Sequence, residues 1–378
     1  MYDSVKDRYS DGAKEREAAL CCPVSYRPEY LEIIPKEVID RDYGCGDPSL
    51  YVREGETVLD LGSGGGKVCF IAAQIVGEKG RVIGVDANLD MLDLARKSKE
   101  EVEAKMGYKN LEFHYGFIQD LALSLDWVDD FLVKNPVNSS KDLEALEVEK
   151  DRLRKEEPMI PDNSVDVVIS NCVLNLVGDD LKQQLFEEMF RVVKVGGRIA
   201  ISDIVSDEDS PVHLKEDGHL WSGCISGALQ EKEFIQMLED VGFYGIEIDK
   251  YEKKAWQIVE GIEYRSVTIT AFKGKEGDCL EKNQAVIYKG PWKSVEDDDG
   301  HIYERGERMA VCEKNHRIMT SEPYKEFMIA VDPYEAVKEE VEFDCSRDHK
   351  RLPRETKEGM GAITTEASSC CEPGGDCC

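Results

Sequence analysis

The chain has 378 residues, 41% of them hydrophobic, and 48 lysines and arginines against 78 acids leave a net charge of −30. That length suits two or more domains of roughly 100–200 residues each, and so acidic a surface repels nucleic acid and anionic membrane, leaving a small neutral or cationic substrate as the better fit. No apolar run approaches the roughly 20 residues of a membrane span, and residues 1–17 are too polar and charged for a signal peptide, so a soluble, cytoplasmic protein is expected.

Residues 1–20 look like a charged helical arm that ends at Cys21-Cys22-Pro23. A glycine-rich turn, Tyr43-Gly-Cys45-Gly-Asp-Pro48, precedes the first core strand. From there the pattern predicts a strand at 57–61, a helix at 67–76, a strand at 81–86, a helix at 88–106 and a strand at 111–115. Residues 126–157 break the rhythm with helix formers of alternating charge, which predicts a solvated helical insertion. Asp162 to Asn171 then restores a buried parallel-type strand. A helix over 180–193, a tight turn at Gly196-Gly197 and a strand over 198–204 follow. A helix at 231–241 and strands at 245–251 and 264–273 close this part. Alternating strands and helices predict an α/β, doubly wound Rossmann-like sheet. Beyond Gly274 short strands around turns suggest a small β-rich accessory domain closing near Pro333. The Gly/Pro/Glu-rich remainder, with Cys370, Cys371, Cys377 and Cys378, is expected to be disordered.

The stretch Thr57 to Gly66 organises the chain: a strand, a glycine turn and a helix start, where bare backbone can face a ligand. A dinucleotide fingerprint would need its third glycine at position 67, which is lysine. The spacing is instead Asp60-x-Gly62-x-Gly64-x-Gly66, which resembles the first motif of class I S-adenosylmethionine (SAM) methyltransferases. A carboxylate there suits an ammonium-bearing ligand, and Asp86, ending the second strand, is placed to accept ribose hydroxyls.

The 13 cysteines are an odd number in a long chain without a signal, so they do not form a secreted disulfide scaffold. No C-x-x-C zinc pair stands in an ordered segment. Cys69, inside the first core helix, suits the role of a small buried apolar residue. Cys45, Cys172 and Cys224 fall where a doubly wound sheet places its ligands, near the carboxyl ends of strands. Converging thiolates beside a sulfonium methyl donor suit a soft, trivalent, thiophilic acceptor. His114, His213, His219 and His301 show no metal spacing, and His219 stands near Trp221 and Cys224 in sequence.

The combination of Tyr43-Gly-Cys45-Gly, Leu59-Asp-Leu-Gly-Ser-Gly64, Ser170-Asn-Cys172-Val, Asn175-Leu-Val177 and Leu220-Trp-x-Gly-Cys224-x-x-Gly-Ala-Leu229 resembles the arsenite SAM methyltransferases from about residue 20 to about 335. The resemblance implies that Cys172 and Cys224 hold As(III), with Cys45 as a third thiolate at some stage. It further implies that Cys45 and Cys21 or Cys22 run a disulfide relay fed by thioredoxin or glutathione. Tyr43, Asp60, Gly62, Ser63, Gly64, Asp86, Ala87, Met91, Phe117, Ile118 and Asn171 would contact SAM, and the products would be mono-, di- and trimethylarsenicals. On this basis residues 1–50 form an arm with cysteine-bearing turns, 51–210 the SAM-binding domain, 211–275 an arsenite-binding region completing the sheet, 276–335 the accessory domain and 336–378 the tail. A monomer is expected. The sequence departs from the pattern at Leu174, where some members carry a further cysteine, at Gly65, and in the length of the insertion, which could cover the substrate mouth. Two other readings stand beside this one: a SAM methyltransferase acting on an organic acceptor such as a quinone or thiol, for which Cys172 and Cys224 would be dispensable, and a non-catalytic metalloid-binding protein, which the tail cysteines suit.

Overall fold

A computed structural model describes residues 2–14, 26–41, 43–339, 341–345, 350–361 and 364. The chain divides into two compact units, 1–274 and 275–378. Among the described residues no helix is long and apolar enough to cross a membrane.

The first unit opens with helix α1 (Tyr2–Lys14). The core then alternates β1 (Thr57–Leu61), α2 (Lys67–Val76), β2 (Arg81–Asp86), α3 (Leu89–Met106) and β3 (Leu111–Tyr115). Two helices, α4 (Leu125–Lys134) and α5 (Ser140–Glu156), interrupt it before β4 (Val165–Asn171), α6 (Asp179–Val192) and β5 (Val193–Ser206). A short helix α7 (Gly218–Ser222), then α8 (Glu231–Val241), β6 (Tyr244–Tyr251) and β7 (Ile262–Phe272) complete the unit. The strand order is β3-β2-β1-β4-β5-β7-β6, with short pieces at Leu229–Gln230 and Gln257–Val259 pairing off this path. β1, β2, β3, β4 and β5 run parallel and β7 antiparallel to β5. The chain steps from β1 to α2 on one side and returns through β4 on the other, so β1 and β4 flank the switch point, where α/β sheets bind ligands.

Period-two alternation explains the layers. Leu59 and Leu61 pack with Ile83, Val85, Val168, Ile199 and Ile201 against Phe186, Met189, Phe234 and Leu238 from α6 and α8. Val58, Val82, Val167 and Ile169 face the other way, onto Phe70, Ile71, Leu92 and Ala95 of α2 and α3. Both faces are apolar, as a covered parallel sheet requires. β5 begins at Val193 rather than near 198, because Lys273 pairs with Gly196 and Gly197 through two backbone hydrogen bonds and draws the expected turn into the sheet.

The insertion is helical, but it is more than a solvated surface piece. Leu146 and Leu153 of α5 bury against Leu123 and Val128, with Trp127, Phe131 and Leu132 packed around them. Arg154 clamps Asp120 at 2.9 Å and Arg96 reaches Asp126 at 2.6 Å, tying the insertion to the loop after β3 and to α3.

The second unit is β-rich. Its strands are β8 (Leu280–Glu281), β9 (Ala285–Tyr288), β10 (Ser294–Glu296), β11 (Ile302–Glu304) and β12 (Arg308–Ala310), and helix α9 (Glu313–Met319) precedes β13 (Met328–Val331) and β14 (Val341–Glu342). β9 lies between β12 and β13, and β8 pairs with β14. This departs from the expected break near residue 335. β14 joins the unit, and the buried Arg351 makes a two-pronged ion pair with Glu281 at 2.7 and 2.8 Å while its N–H donates to the Arg308 carbonyl. The four tail cysteines, like Cys21 and Cys22, lie outside the described residues.

Candidate active site

The glycine turn between β1 and α2 opens onto a cavity of about 380 Å³. Gly62, Gly64 and Gly66 all hold positive φ, and a Cβ on Gly62 would stand 2.4 Å from the Val173 side chain, so the turn admits only glycine there. At the end of β2 the Asp86 carboxylate accepts the Gly64 N–H at 2.8 Å and the Asn88 N–H at 2.7 Å, one on each oxygen. Each carboxylate oxygen has a second acceptor position, so Asp86 keeps capacity for a diol. Burial pushes this carboxyl up, against those backbone N–H groups. Asp60 is buried on the α2 side of β1, where the Cys69 thiol donates to it at 3.2 Å. Cys69 is thus fully buried as expected, but it serves as a donor to a cavity carboxylate rather than as packing alone. Burial and Asp60 hold its thiol well above the usual range.

Tyr43, Asp60, Gly62, Ser63, Gly64, Asp86, Ala87, Met91, Phe117, Ile118 and Asn171 all line this cavity, as does Cys172. No residue of the insertion does, so α4 and α5 do not cover the mouth. Helix α1 takes that place. Val5, Lys6 and Tyr9 line the cavity; Arg8 donates to the Ser222 hydroxyl and the His219 carbonyl, both at 3.0 Å; and Asn88 donates to Ser10 at 3.1 Å. The His219 side chain is exposed, and what the residue contributes here is its carbonyl.

Three cysteines meet at the carboxyl edge of β4 and β5. The Cys45 and Cys172 sulfurs and a carboxylate oxygen of Asp203 lie within 4.8 Å of one another. The Cys224 thiol donates to the Cys172 carbonyl at 3.1 Å, and the Tyr9 hydroxyl stands 3.8 Å from the Cys224 sulfur. Apolar residues Ile204, Leu214, Ile225 and Tyr264 surround the thiols. Hydrogen bonds with the Cys224 and Cys45 thiols, with burial, hold Cys172 well above the usual thiol range, and burial raises Cys45. Burial and the two neighbouring thiols Cys224 and Cys172 likewise raise Tyr9.

A separate polar residue fixes each cysteine. Asn171 accepts from the Cys45 and Gly46 N–H groups at 2.9 and 3.1 Å and donates to the Gly46 carbonyl at 2.8 Å. Its amide is therefore engaged by the Cys45 turn, a task the resemblance did not suggest for it. Asp203 accepts from the N–H groups of Val173 and Leu174 at 3.1 and 2.9 Å, closing the turn that follows Cys172. Asn175 donates to the carbonyls of Ile204 at 2.6 Å and Cys224 at 3.3 Å. These fastenings hold two left-handed residues, Cys172 at φ 62° and Cys224 at φ 60°. That conformation costs a non-glycine residue about 1–3 kcal/mol and persists only where its surroundings impose it. Burial raises the Asp203 carboxyl to about 6 against its three N–H donors. Asp203 and Tyr9 escaped the sequence reading; an acid inside the apolar run Ile199–Val205 was the one available signal for Asp203, and Tyr9 offered none.

The strand order, the glycine turn and the acid ending β2 define a class I SAM-dependent methyltransferase. A methyltransferase-domain family matches residues 53–158 and 138–242, and a domain family of unknown function matches 275–360. The arsenite methyltransferase of Aquipseudomonas alcaligenes is 30% identical over 335 residues, covering 85% of this chain and 83% of that one. That of Mus musculus is 29% identical, covering 92% and 89%. The crystal structure of an arsenic (III) SAM methyltransferase from Chlamydomonas reinhardtii aligns with a TM-score of 0.53 at 26% identity, over 85% of this chain and all of the other. The chain belongs to the arsenite methyltransferase family.

Proposed function

We propose that this enzyme methylates As(III) held by Cys172, Cys224 and Cys45, and that the observation carrying this reading is the convergence of three thiols on the edge of a cavity built for the methyl donor. The donor set suits SAM: a carboxylate with acceptor capacity at Asp86, a second acid at Asp60 for an ammonium group, and a glycine turn without side chains between them. When bound, SAM supplies an electrophilic sulfonium methyl group.

Arsenous acid loads by exchange. Each thiol forms an As–S bond, an As–O bond breaks, and the thiol proton leaves with the hydroxide as water. Cys45, raised by burial, and Cys172, raised by hydrogen bonds with its neighbouring thiols and by burial, can therefore load without prior ionisation. The arsenic lone pair is the nucleophile and carries no proton, so the transfer needs no general base. Holding both reactants in line contributes roughly 7–11 kcal/mol, and helix α1 over the cavity limits water. Methylation raises arsenic to the pentavalent state. Two thiols then supply two electrons and become a disulfide, which returns arsenic to the trivalent state for a further round. Cys45 with Cys21 or Cys22 suits that relay, thioredoxin or glutathione would reduce the disulfide, and mono-, di- and trimethylarsenicals are the successive products.

The test is an arsenite assay with SAM, glutathione and thioredoxin on the wild type, Cys172→Ser and Cys224→Ser, with arsenic species separated by chromatography. Methylarsenicals from the wild type and from neither variant are expected. SAM binding without any methylated arsenic would overturn the reading.

A further inference from the structure

The second unit gathers three other cysteines, and no function is attached to the family that matches it. The sulfurs of Cys279, Cys312 and Cys345 lie within 4.8 Å of one another. We propose that they form a second soft-ion site that holds one trivalent arsenic through three sulfurs, separate from the site of methyl transfer.

The fold brings these residues together from three directions. β8 and β14 pair antiparallel, and the Phe343 N–H donates to the Cys279 carbonyl at 2.7 Å, which sets Cys345 beside Cys279. Cys312 caps helix α9, its sulfur accepting the Asn315 N–H at 3.3 Å. None of the three is in a disulfide. Small-hydrophobe packing accounts for Cys312, which is buried, but not for Cys279, which is half-buried, or Cys345, which is exposed. The same exposure leaves a route for a small solute. A cleft lined by Tyr303, Met309, Val311 and Phe343 backs onto Cys312 and Cys345.

Charge and donor count select the ion. The Lys314 ammonium, which donates to the Gly277 carbonyl at 3.1 Å, places a cation beside Cys279, and a cation beside a thiol is the environment of a ligating cysteine. Among the described residues no fourth histidine, cysteine or acid joins the group. Structural zinc sites close with four protein ligands, whereas As(III) makes three bonds and keeps a lone pair. Soft thiolate donors select soft ions. Loading breaks three As–O bonds of arsenous acid, forms three As–S bonds and releases three waters, with no change of oxidation state.

The experiment uses the full chain with Cys21, Cys22, Cys45, Cys172, Cys224 and the four tail cysteines replaced by serine. The methyl-transfer thiols are thereby absent, and the result is independent of the proposed function. After reduction, incubation with arsenite and gel filtration, one arsenic per chain is expected, with a three-sulfur shell by X-ray absorption. Adding Cys279→Ser or Cys345→Ser should abolish stoichiometric binding. Cys312→Ser should abolish it too while the serine hydroxyl still caps α9, so circular dichroism and arsenic content should part company. A folded parent without bound arsenic, arsenic that survives these substitutions, or zinc held tetrahedrally in its place would overturn the proposal.

Discussion

The two thiol clusters are built on opposite plans. The first sits at the edge of a parallel sheet, and each cysteine is fastened by its own polar side chain: Cys45 by Asn171, the Cys172 turn by Asp203, Cys224 by Asn175. Its surroundings are apolar and its nearest charge is an acid; burial raises the Cys45 thiol, and hydrogen bonds with the neighbouring thiols, with burial, raise Cys172. The second cluster is held by a strand pair and a helix cap, opens to solvent, and has a lysine as its neighbouring charge. The first plan fixes direction, which in-line transfer requires; the second provides a ready thiol without a fixed direction, which suits holding an ion.

If the first cluster depends on its fastenings, removing them should have the largest effects. Asp203→Ala leaves the buried N–H groups of Val173, Leu174 and Ile204 without their acceptor. At about 1–3 kcal/mol for each buried unsatisfied group, a loss on the order of 3 kcal/mol is expected by denaturant unfolding, together with loss of methylation. Asn171→Ala should be milder. It frees the Cys45 turn, costs about 1–3 kcal/mol, and weakens arsenite binding by roughly 10–100-fold, as loss of a ligand's supporting hydrogen bond does. Titration of arsenite against tryptophan fluorescence would measure it, because Trp221 stands just before Cys224 and lines the same cavity. An Asn171→Ala enzyme with unchanged arsenite affinity would break the contrast between the clusters.

That scaffolding also marks where the sequence stops being informative. β1, α2, β2 and β3 begin and end at the residues the pattern predicted, and β1, α2 and β2 are each bounded by a local signal: a glycine in the left-handed region, or an apolar run closed by an acid. The cavity residues follow from the same turn. Cys45, Cys172 and Cys224 could be brought to one edge because the doubly wound topology fixes where strands end. By contrast, the contact of Tyr9 with Cys224 depends on how α1 lies across the sheet, which no local pattern encodes. The Cys279–Cys312–Cys345 group was equally hidden. It exists because β14 pairs with β8, and β14 lies in a stretch whose composition suggested a tail.

Alkylation gives a third and smaller test. Near neutral pH, among the described cysteines, a limiting thiol reagent should label Cys279 first, because its thiol lies below the usual range and is half-exposed. Cys45 and Cys172, both raised, should label last. A difference of roughly tenfold in rate is expected from thiolate fraction, read by mass spectrometry of digested protein. Prior arsenite should protect both groups. Protection of the first without the second would leave the clusters different in kind and remove the holding site.

The smallest effect concerns acid. In the C-terminal unit Asp297 accepts from the His301 ring nitrogen at 3.0 Å, the His301 N–H at 2.8 Å and the Tyr303 hydroxyl at 2.9 Å, beside the cleft that backs onto Cys312. Burial works to raise this carboxyl, but the His301 hydrogen bonds and Tyr303 outweigh it and hold it below the ordinary aspartate range. A carboxyl depressed in the folded state stabilises the fold above its unfolded pKa, and that contribution is lost as pH falls through the folded value. Protection against hydrogen exchange in peptides from 275–361, taken relative to the intrinsic rate at each pH, should therefore fall in acid. In Asp297→Asn the same peptides should exchange a few-fold faster than wild type at neutral pH, and the two proteins should converge as pH falls through the aspartate range. A gap that persists in acid would mean that Asp297 acts through shape rather than charge, and the cleft beside the second cluster would then owe its order to packing alone.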